Sequence, residues 1–181
     1  MIKGLVYPSL IYLVGMPSCG KSTLGQMLAP AIGYSFVDTD TLLVEKYGLK
    51  VAEFIESRGE ADFRKEEAEV LKSTFEMKQT VVACGGGTPC FLDGIDQMNR
   101  NGQTIYLQIE LELLVIRLAG TDENPRPLLP RGDKKLVRSE LEKLFFGRKS
   151  CYEKAQTLAV IVDNIDSNLT NLLNALKKYT L

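Results

Sequence analysis

The chain has 181 residues, 45% of them hydrophobic and 25% charged, which fits one globular domain with a sizeable core. Its 22 Lys and Arg nearly balance its 23 Asp and Glu, so no broad basic field marks it for nucleic acid. It has no histidine, which excludes His triads, His metal sites and His general bases.

In chain order, the first residues lack a long apolar core and a small-residue cleavage site, so no leader is expected. No apolar run reaches membrane-spanning length. Cys19, Cys84, Cys90 and Cys151 have no paired CxxC spacing and read as free thiols of a cytoplasmic protein. The apolar run 10–14 predicts a buried strand, and a helix follows from 23. Between them, Gly15-Met16-Pro17-Ser18-Cys19-Gly20-Lys21-Ser22 fits the phosphate-loop pattern G-x-x-x-x-G-K-[ST] without a mismatch. A Gly-rich turn can point consecutive backbone N–H groups into one concavity that holds anions. The next helix adds its unpaired N–H groups and positive dipole end. Lys21 then offers a point charge to the outer phosphates, and Ser22 a hydroxyl to Mg²⁺. Cys19 reads as a small side chain filling the loop, although Lys21 and a helix N-terminus are settings that lower a thiol pKa.

Residues 35–38 read as a second strand ending in carboxylates, and 41–47 and 51–57 as short helices closed by Gly48 and Gly59. Asp38 and Asp40 flank Thr39, so in extended chain both carboxylates leave one side. One could reach a Mg²⁺ shell while the other meets a second substrate; capping of the next helix by Asp40 is the plainer role. Residues 60–78 read as one long surface helix carrying Arg64 and, one turn on, Glu67. A third strand, 80–83, runs into Gly85-Gly86-Gly87, which suits close backbone approach to a ligand or a positive φ. Residues 91–101 are expected to be helical, 104–107 a strand and 111–118 a helix.

Residues 120–132 break the pattern with Pro125, Pro127 and Pro130 around Arg126. A long, charged, Pro-bearing loop in a compact domain is often a lid, and an Arg there can meet a transferring phosphoryl group. Residues 135–153 read as a helix carrying Arg148, 158–162 as the fifth strand and 169–179 as the closing helix. Alternating short strands and helices predict an α/β fold with a parallel sheet covered on both faces. Ligands of such sheets gather at the carboxyl ends of the strands. The phosphate loop, Asp38-Thr39-Asp40 and Gly85-Gly86-Gly87 all follow strand ends, so they are expected to share one crevice.

Together these residues resemble the shikimate kinase family, within the nucleoside-monophosphate-kinase-like P-loop group. The resemblance covers roughly residues 12–164, with every motif in family order. It rests on the phosphate loop, Phe36-Val37-Asp38-Thr39-Asp40, Phe63-Arg64-Lys65-Glu66-Glu67, Gly85-Gly86-Gly87, Arg126-Pro127-Leu128-Leu129, and Arg148 to Tyr152. It implies a single P-loop kinase domain over 1–181 with strand order 2-3-1-4-5. The lid would span about 119–134, and the substrate-binding helices about 40–78. It implies transfer of the ATP γ-phosphate to the 3-hydroxyl of shikimate, with Mg²⁺, in aromatic amino-acid biosynthesis. Gly15, Ser18, Cys19, Gly20, Lys21, Ser22 and Thr23 would hold the nucleotide phosphates, and Arg117 would stack on adenine. Ser22 and Asp38 would serve Mg²⁺. Asp40 would bind the ring hydroxyls beside the accepting oxygen and is the candidate base. Arg64 and Arg148 would hold the carboxylate, the Gly85-Gly86-Gly87 backbone would pack on the substrate, and Phe54 and Phe63 would form apolar walls. Lys21 and Arg126 would stabilise charge on the phosphoryl group. Members of such kinase groups are often monomers, and a monomer is expected.

Two positions depart from the pattern. Cys84 precedes the triple glycine where a Leu or Ser type residue is usual, and 164–167 lacks the usual basic residue after the last strand. A gluconate kinase is the alternative enzyme, since an acidic sugar also welcomes arginines. A GTPase-like switch would carry N-K-x-D, which is absent. A catalytically dead scaffold would not keep Lys21, Ser22, Asp38, Asp40 and Arg126 together.

Overall fold

The computed structural model describes residues 7–119 and 134–177. The five-residue apolar run Leu10–Val14 forms β1, buried along its whole length. Such a run has no polar face to give to water, so it can only be central. It pairs in parallel with β3 (Thr80–Ala83) on one side and β4 (Gln103–Ile109) on the other. β2 (Ser35–Asp38) adds outside β3, and β5 (Thr157–Ile161) outside β4. The order is therefore β2-β3-β1-β4-β5, all parallel, as the family resemblance implies. β5 alternates buried and exposed positions because its edge position leaves one face partly open.

Helices α1 (Lys21–Ile32), α5 (Gly94–Asn101), α6 (Leu111–Ala119), α7 (Lys134–Tyr152) and α8 (Ile165–Lys177) surround the sheet. Helices α2 (Thr39–Tyr47), α3 (Val51–Arg58) and α4 (Glu60–Ser73) stand apart around a small core of their own, Leu43, Phe54, Phe63 and Val70. A separate core lets this helical segment present its charged residues to the strand ends without disturbing the main sheet. Among the described residues no helix is long and apolar enough to cross a membrane.

Several element bounds differ from the sequence reading, each for a local reason. α2 begins at Thr39 instead of 41 because the Asp38 carboxylate accepts from the Asp40 N–H at 2.9 Å. α4 stops at Ser73, not 78, where the Thr74 hydroxyl turns back to the Leu71 carbonyl at 2.7 Å. The helix expected over 91–101 is split: Thr88–Cys90 form a 3-10 turn, Leu92 and Asp93 adopt left-handed φ of 48° and 56°, and α5 starts at Gly94. α8 starts four residues before the expected 169, because Asn164 Oδ1 accepts from the Ser167 N–H at 2.8 Å. Of the lid expected over about 119–134, residues 120–133, Arg126 among them, lie outside the described residues.

Candidate active site

β1 delivers Gly15 to the carboxyl edge of the sheet, between the ends of β3 and β4. Gly15 has φ 145°, and a Cβ there would stand 2.9 Å from the Leu107 carbonyl oxygen, so only glycine fits. Gly20 closes the loop at φ 99° and precedes α1 without capping it by a side chain. The first N–H groups of α1 therefore have no side-chain cap, and their residues Lys21, Ser22 and Thr23 line the cleft, a setting suited to an anion. Lys21 is buried, its ammonium held by the Gly15 and Met16 carbonyls at 3.0 and 2.9 Å, with Cys19 Sγ at 3.8 Å. The lysine thus braces the loop from inside. Buried Cys19 fills the space beneath Gly15, as its small size suggests.

A cleft of about 310 Å³ opens over this loop, lined by Ser18, Gly20, Lys21, Ser22, Thr23, Asp38, Asp40, Cys84 and Gly86. The three strand-end motifs do share one crevice. Ser22 Oγ donates to Asp38 Oδ2 at 2.5 Å. Asp38 and Asp40 both reach the cleft, but not by strand alternation as the sequence reading supposed: Asp38 caps α2 and Asp40 sits in its first turn. Helix capping is therefore the work of Asp38, not of Asp40. Cys84, the departure from the family pattern, is buried beside Met98 Sδ at 3.9 Å, and burial pushes its thiol pKa up.

The triple glycine works by absent volume. None of its residues has a positive φ. A Cβ on Gly85 would stand 2.7 Å from Asp40 Oδ1, 2.8 Å from Thr88 Oγ1 and 2.9 Å from Glu67 Oε1. One on Gly86 would touch Pro17 at 3.1 Å and Arg148 Nη1 at 3.3 Å. One on Gly87 would run into the Arg64 guanidinium, whose Cζ is 3.0 Å away. Three consecutive residues thus make room for Asp40, for Arg148 and the phosphate loop, and for Arg64.

Each of those partners is held. Arg64 is 8% exposed; Nη1 donates to Glu67 Oε2 at 2.8 Å and Nη2 to Glu60 Oε1 at 2.9 Å, while its buried Nε has no partner among the described residues. Its guanidinium lies over the Phe91 ring, 4.1 Å from the centroid, with Phe63 at 5.0 Å. On α7, the Tyr152 hydroxyl donates to the Gly86 carbonyl at 2.6 Å, and its ring stacks on Tyr106. Burial pushes the Tyr152 phenol pKa well up, so it stays a donor. Arg148 lies one turn earlier on the same helix, half-buried. Arg117, at the end of α6, donates to the Ser18 carbonyl at 3.5 Å and the Val162 carbonyl at 3.2 Å, joining the phosphate loop to the end of β5.

The apolar-wall expectation needs correction. Phe54 is 0% exposed and packs edge-on between Tyr47 and Phe63, inside the small helical core. Phe63 is also buried. Beside Arg64, the ring of Phe91 is 39% exposed. Its position after a 3-10 turn, not inside a helix, hid it from periodicity. Thr39 was also missed: its hydroxyl accepts from the Gly85 N–H at 2.9 Å.

Two hard oxygens, Ser22 Oγ and Asp38 Oδ2, face the cleft together beside uncapped helix N–H groups. Among the described residues no cluster of three or more acidic or cysteine side chains could hold a metal alone. That set fits Mg²⁺, which keeps waters and takes one or two protein oxygens plus phosphates.

The shikimate kinase family model matches residues 17–177. A curated shikimate kinase from Clostridium botulinum strain 657 is 35% identical over 169 residues, 93% of this chain and 96% of that protein. The crystal structure of the Bacteroides thetaiotaomicron shikimate kinase is 30% identical and superposes with a TM-score of 0.87, covering 92% of this chain and 97% of that one. The Acinetobacter baumannii shikimate kinase in complex with shikimate is 29% identical with a TM-score of 0.80, covering 92% and 91%. A gluconokinase from Sinorhizobium meliloti, 17% identical with a TM-score of 0.64 over 96% and 94% of the two chains, shares the fold alone.

Proposed function

The chain belongs to the shikimate kinase family, and from that premise we propose how its residues divide the work. The reaction moves the γ-phosphate of ATP, with Mg²⁺, to the 3-hydroxyl of shikimate. The carrying observation is the triple glycine: Gly86 lines the cleft with Lys21 and Ser22, while its neighbours make room for Asp40 and Arg64. Phosphate ground and acceptor ground therefore meet at one turn.

Phosphoryl transfer asks the protein mainly for position and electrostatic stabilisation. The loop from Gly15 to Thr23 offers its N–H groups to the nucleotide phosphates, and Lys21 adds its charge. Bound Mg²⁺ would screen charge on the phosphate oxygens, held by Ser22 and Asp38. Arg117 would take the adenine face; its tie to Ser18 and Val162 places it at that end of the loop.

On the acceptor side, Asp40 would bind the ring hydroxyls and orient the attacking one. The Arg64 Nη2 partner Glu60 is 58% solvent-exposed, so a substrate carboxylate can take its place on this guanidinium. Arg148 approaches the neighbouring Gly86 of the same turn and would complete the clamp. Arg126 would meet the phosphoryl group from the lid, and lid closure would exclude water and limit ATP hydrolysis. We further propose that the protein works in the cytoplasm as a monomer, without nucleic acid or membrane; its nearly balanced charge supports the reading on nucleic acid.

A coupled assay of ADP release tests the reading, run with shikimate, gluconate and no acceptor. Turnover only with shikimate is expected. Equal turnover on gluconate would overturn the assignment of the clamp.

A further inference from the structure

Thr88 is a buried hydroxyl with a single aim. Its Oγ1 donates to Glu67 Oε1 at 2.7 Å, and the other oxygen of Glu67 accepts from Arg64 Nη1 at 2.8 Å. Thr88, Glu67 and Arg64 are 3%, 4% and 8% exposed, so the links of this relay are largely shielded from water. The threonine has little freedom of its own. Its N–H is bonded to the Gly85 carbonyl at 3.1 Å, closing the triple-glycine turn. Pro89 follows with a ring-locked φ. Gly94, at the start of α5, approaches the Thr88 carbonyl so closely that no Cβ would fit.

The relay also sets apart two carboxylates. Asp40 Oδ1 and Glu67 Oε1 both crowd the space above the Gly85 Cα. Glu67 Oε1 accepts from the Thr88 hydroxyl, and Oε2 accepts from Arg64 Nη1. Remove the hydroxyl and a buried carboxylate oxygen loses its donor next to a second carboxylate, which is costly. Glu67 must then turn, and Arg64 loses the bond that fixes its plane.

We propose that Thr88 is a positioning residue for the acceptor: through Glu67 it fixes the Arg64 guanidinium in the orientation that receives the substrate carboxylate. The inference rests on the reading that Arg64 holds that carboxylate. Threonine is suited to this because it offers one donor on a branched, rotamer-restricted side chain.

The test compares Thr88→Val, which keeps shape and loses the donor, with Thr88→Ser, which keeps the donor. Thr88→Ala removes the donor by a second route if valine crowds the turn. The expected result is a shikimate KM raised roughly tenfold in the valine and alanine variants, the size of one hydrogen bond to a charged group. The serine variant restores KM to near the parent value. The KM for ATP and the kcat at saturating shikimate stay the same. An analogue with the carboxylate reduced to an alcohol binds the parent and the valine variant equally, because the penalty lies in the carboxylate contact. An unchanged shikimate KM in Thr88→Val, alongside a raised one in Arg64→Ala, would overturn the role of Thr88 alone. An unchanged KM in Arg64→Ala would instead overturn the clamp on which it rests. Loss of kcat together with melting temperature in both valine and serine variants would reduce Thr88 to a packing residue and overturn the proposal.

Discussion

Ser22 Oγ and Asp38 Oδ2 stand 2.5 Å apart, although 16 residues separate them. The first opens α1 and the second ends β2, so the contact joins two neighbouring strand–helix units at the mouth of the cleft. Asp38 has a second task, since its Oδ1 caps α2 through the Asp40 N–H at 2.9 Å. The two tasks can be separated. Asp38→Asn keeps a good capping side chain and removes the charge, so the Mg²⁺ needed for half-maximal rate should rise roughly tenfold with the melting temperature nearly unchanged. Asp38→Ala should also lower stability by about 1 kcal/mol, the worth of one cap. Mg²⁺ titration of the rate and a melting curve read the two effects. Equal Mg²⁺ dependence in the parent and both variants would remove Asp38 from the metal site.

Gly87→Ala places a methyl group where the Arg64 guanidinium now lies. Gly87 has an ordinary φ of −94°, so the substitution carries no backbone strain. Its whole effect should come from displacing Arg64. Shikimate KM should rise at least tenfold, in line with the loss of a charge-assisted hydrogen bond, while ATP binding stays the same. Isothermal titration with each ligand checks this. Weakened ATP binding would mean that the triple glycine serves the phosphate loop instead.

Arg126 lies outside the described residues, and its role is argued from its place between Pro125 and Pro127. If it meets charge that develops during transfer, Arg126→Ala should lower kcat roughly a hundredfold or more and leave the shikimate KM within a few-fold. Steady-state kinetics decide between the roles. A raised KM with parental kcat would make Arg126 a ground-state binder.

Alkaline pH should unfold the protein through its buried phenols. Burial pushes Tyr12 and Tyr106 up to about 12, from 10 for an exposed tyrosine, and Tyr152 higher still. Below pH 10 both folded and unfolded chains keep these protons, so the stabilisation is complete. Between pH 10 and about 12 the unfolded chain releases them first, and stability falls as pH rises. Denaturant midpoints at pH 9, 10 and 11, with tyrosinate absorbance alongside, should show the loss beginning near 10. A flat midpoint across that range would mean these phenols ionise as readily folded as unfolded.

The five strands and the phosphate loop were legible because their signals are local. A run such as Leu10–Val14 has nowhere to go but the sheet centre, and a Gly-Lys-Ser spacing encodes its own backbone geometry. Helix starts were less legible. Those of α2 and α8 were set by Asp38 and Asn164 side chains, which weigh little in a periodicity argument. Periodicity also ran through Leu92 and Asp93, whose left-handed backbones separate Phe91 from α5.

Within the site, residue types named the chemistry but not its supports. Lys21, Ser22, Asp38, Asp40, Arg64 and Arg148 could be chosen from motifs. Phe54 was misplaced because an aromatic near a motif looks the same in sequence whether it faces a ligand or, as here, a small core. Thr39, Thr88 and Phe91 carry no sequence signal because hydroxyls and rings are common, and only distance reveals their contacts with Gly85, Glu67 and Arg64.

The sequence alone determined a parallel α/β fold, a phosphate loop and an acidic–arginine inventory suited to carboxylate or phosphate contacts, because strand burial, turn geometry and charge act over a few residues. Only the tertiary structure decided that Gly85, Gly86 and Gly87 each clear space for a different distant partner, and that Thr88 and Glu67 stand behind Arg64. Those relationships join α2, α4 and α7 to the end of β3. They depend on how the chain packs across tens of residues, which no local pattern records.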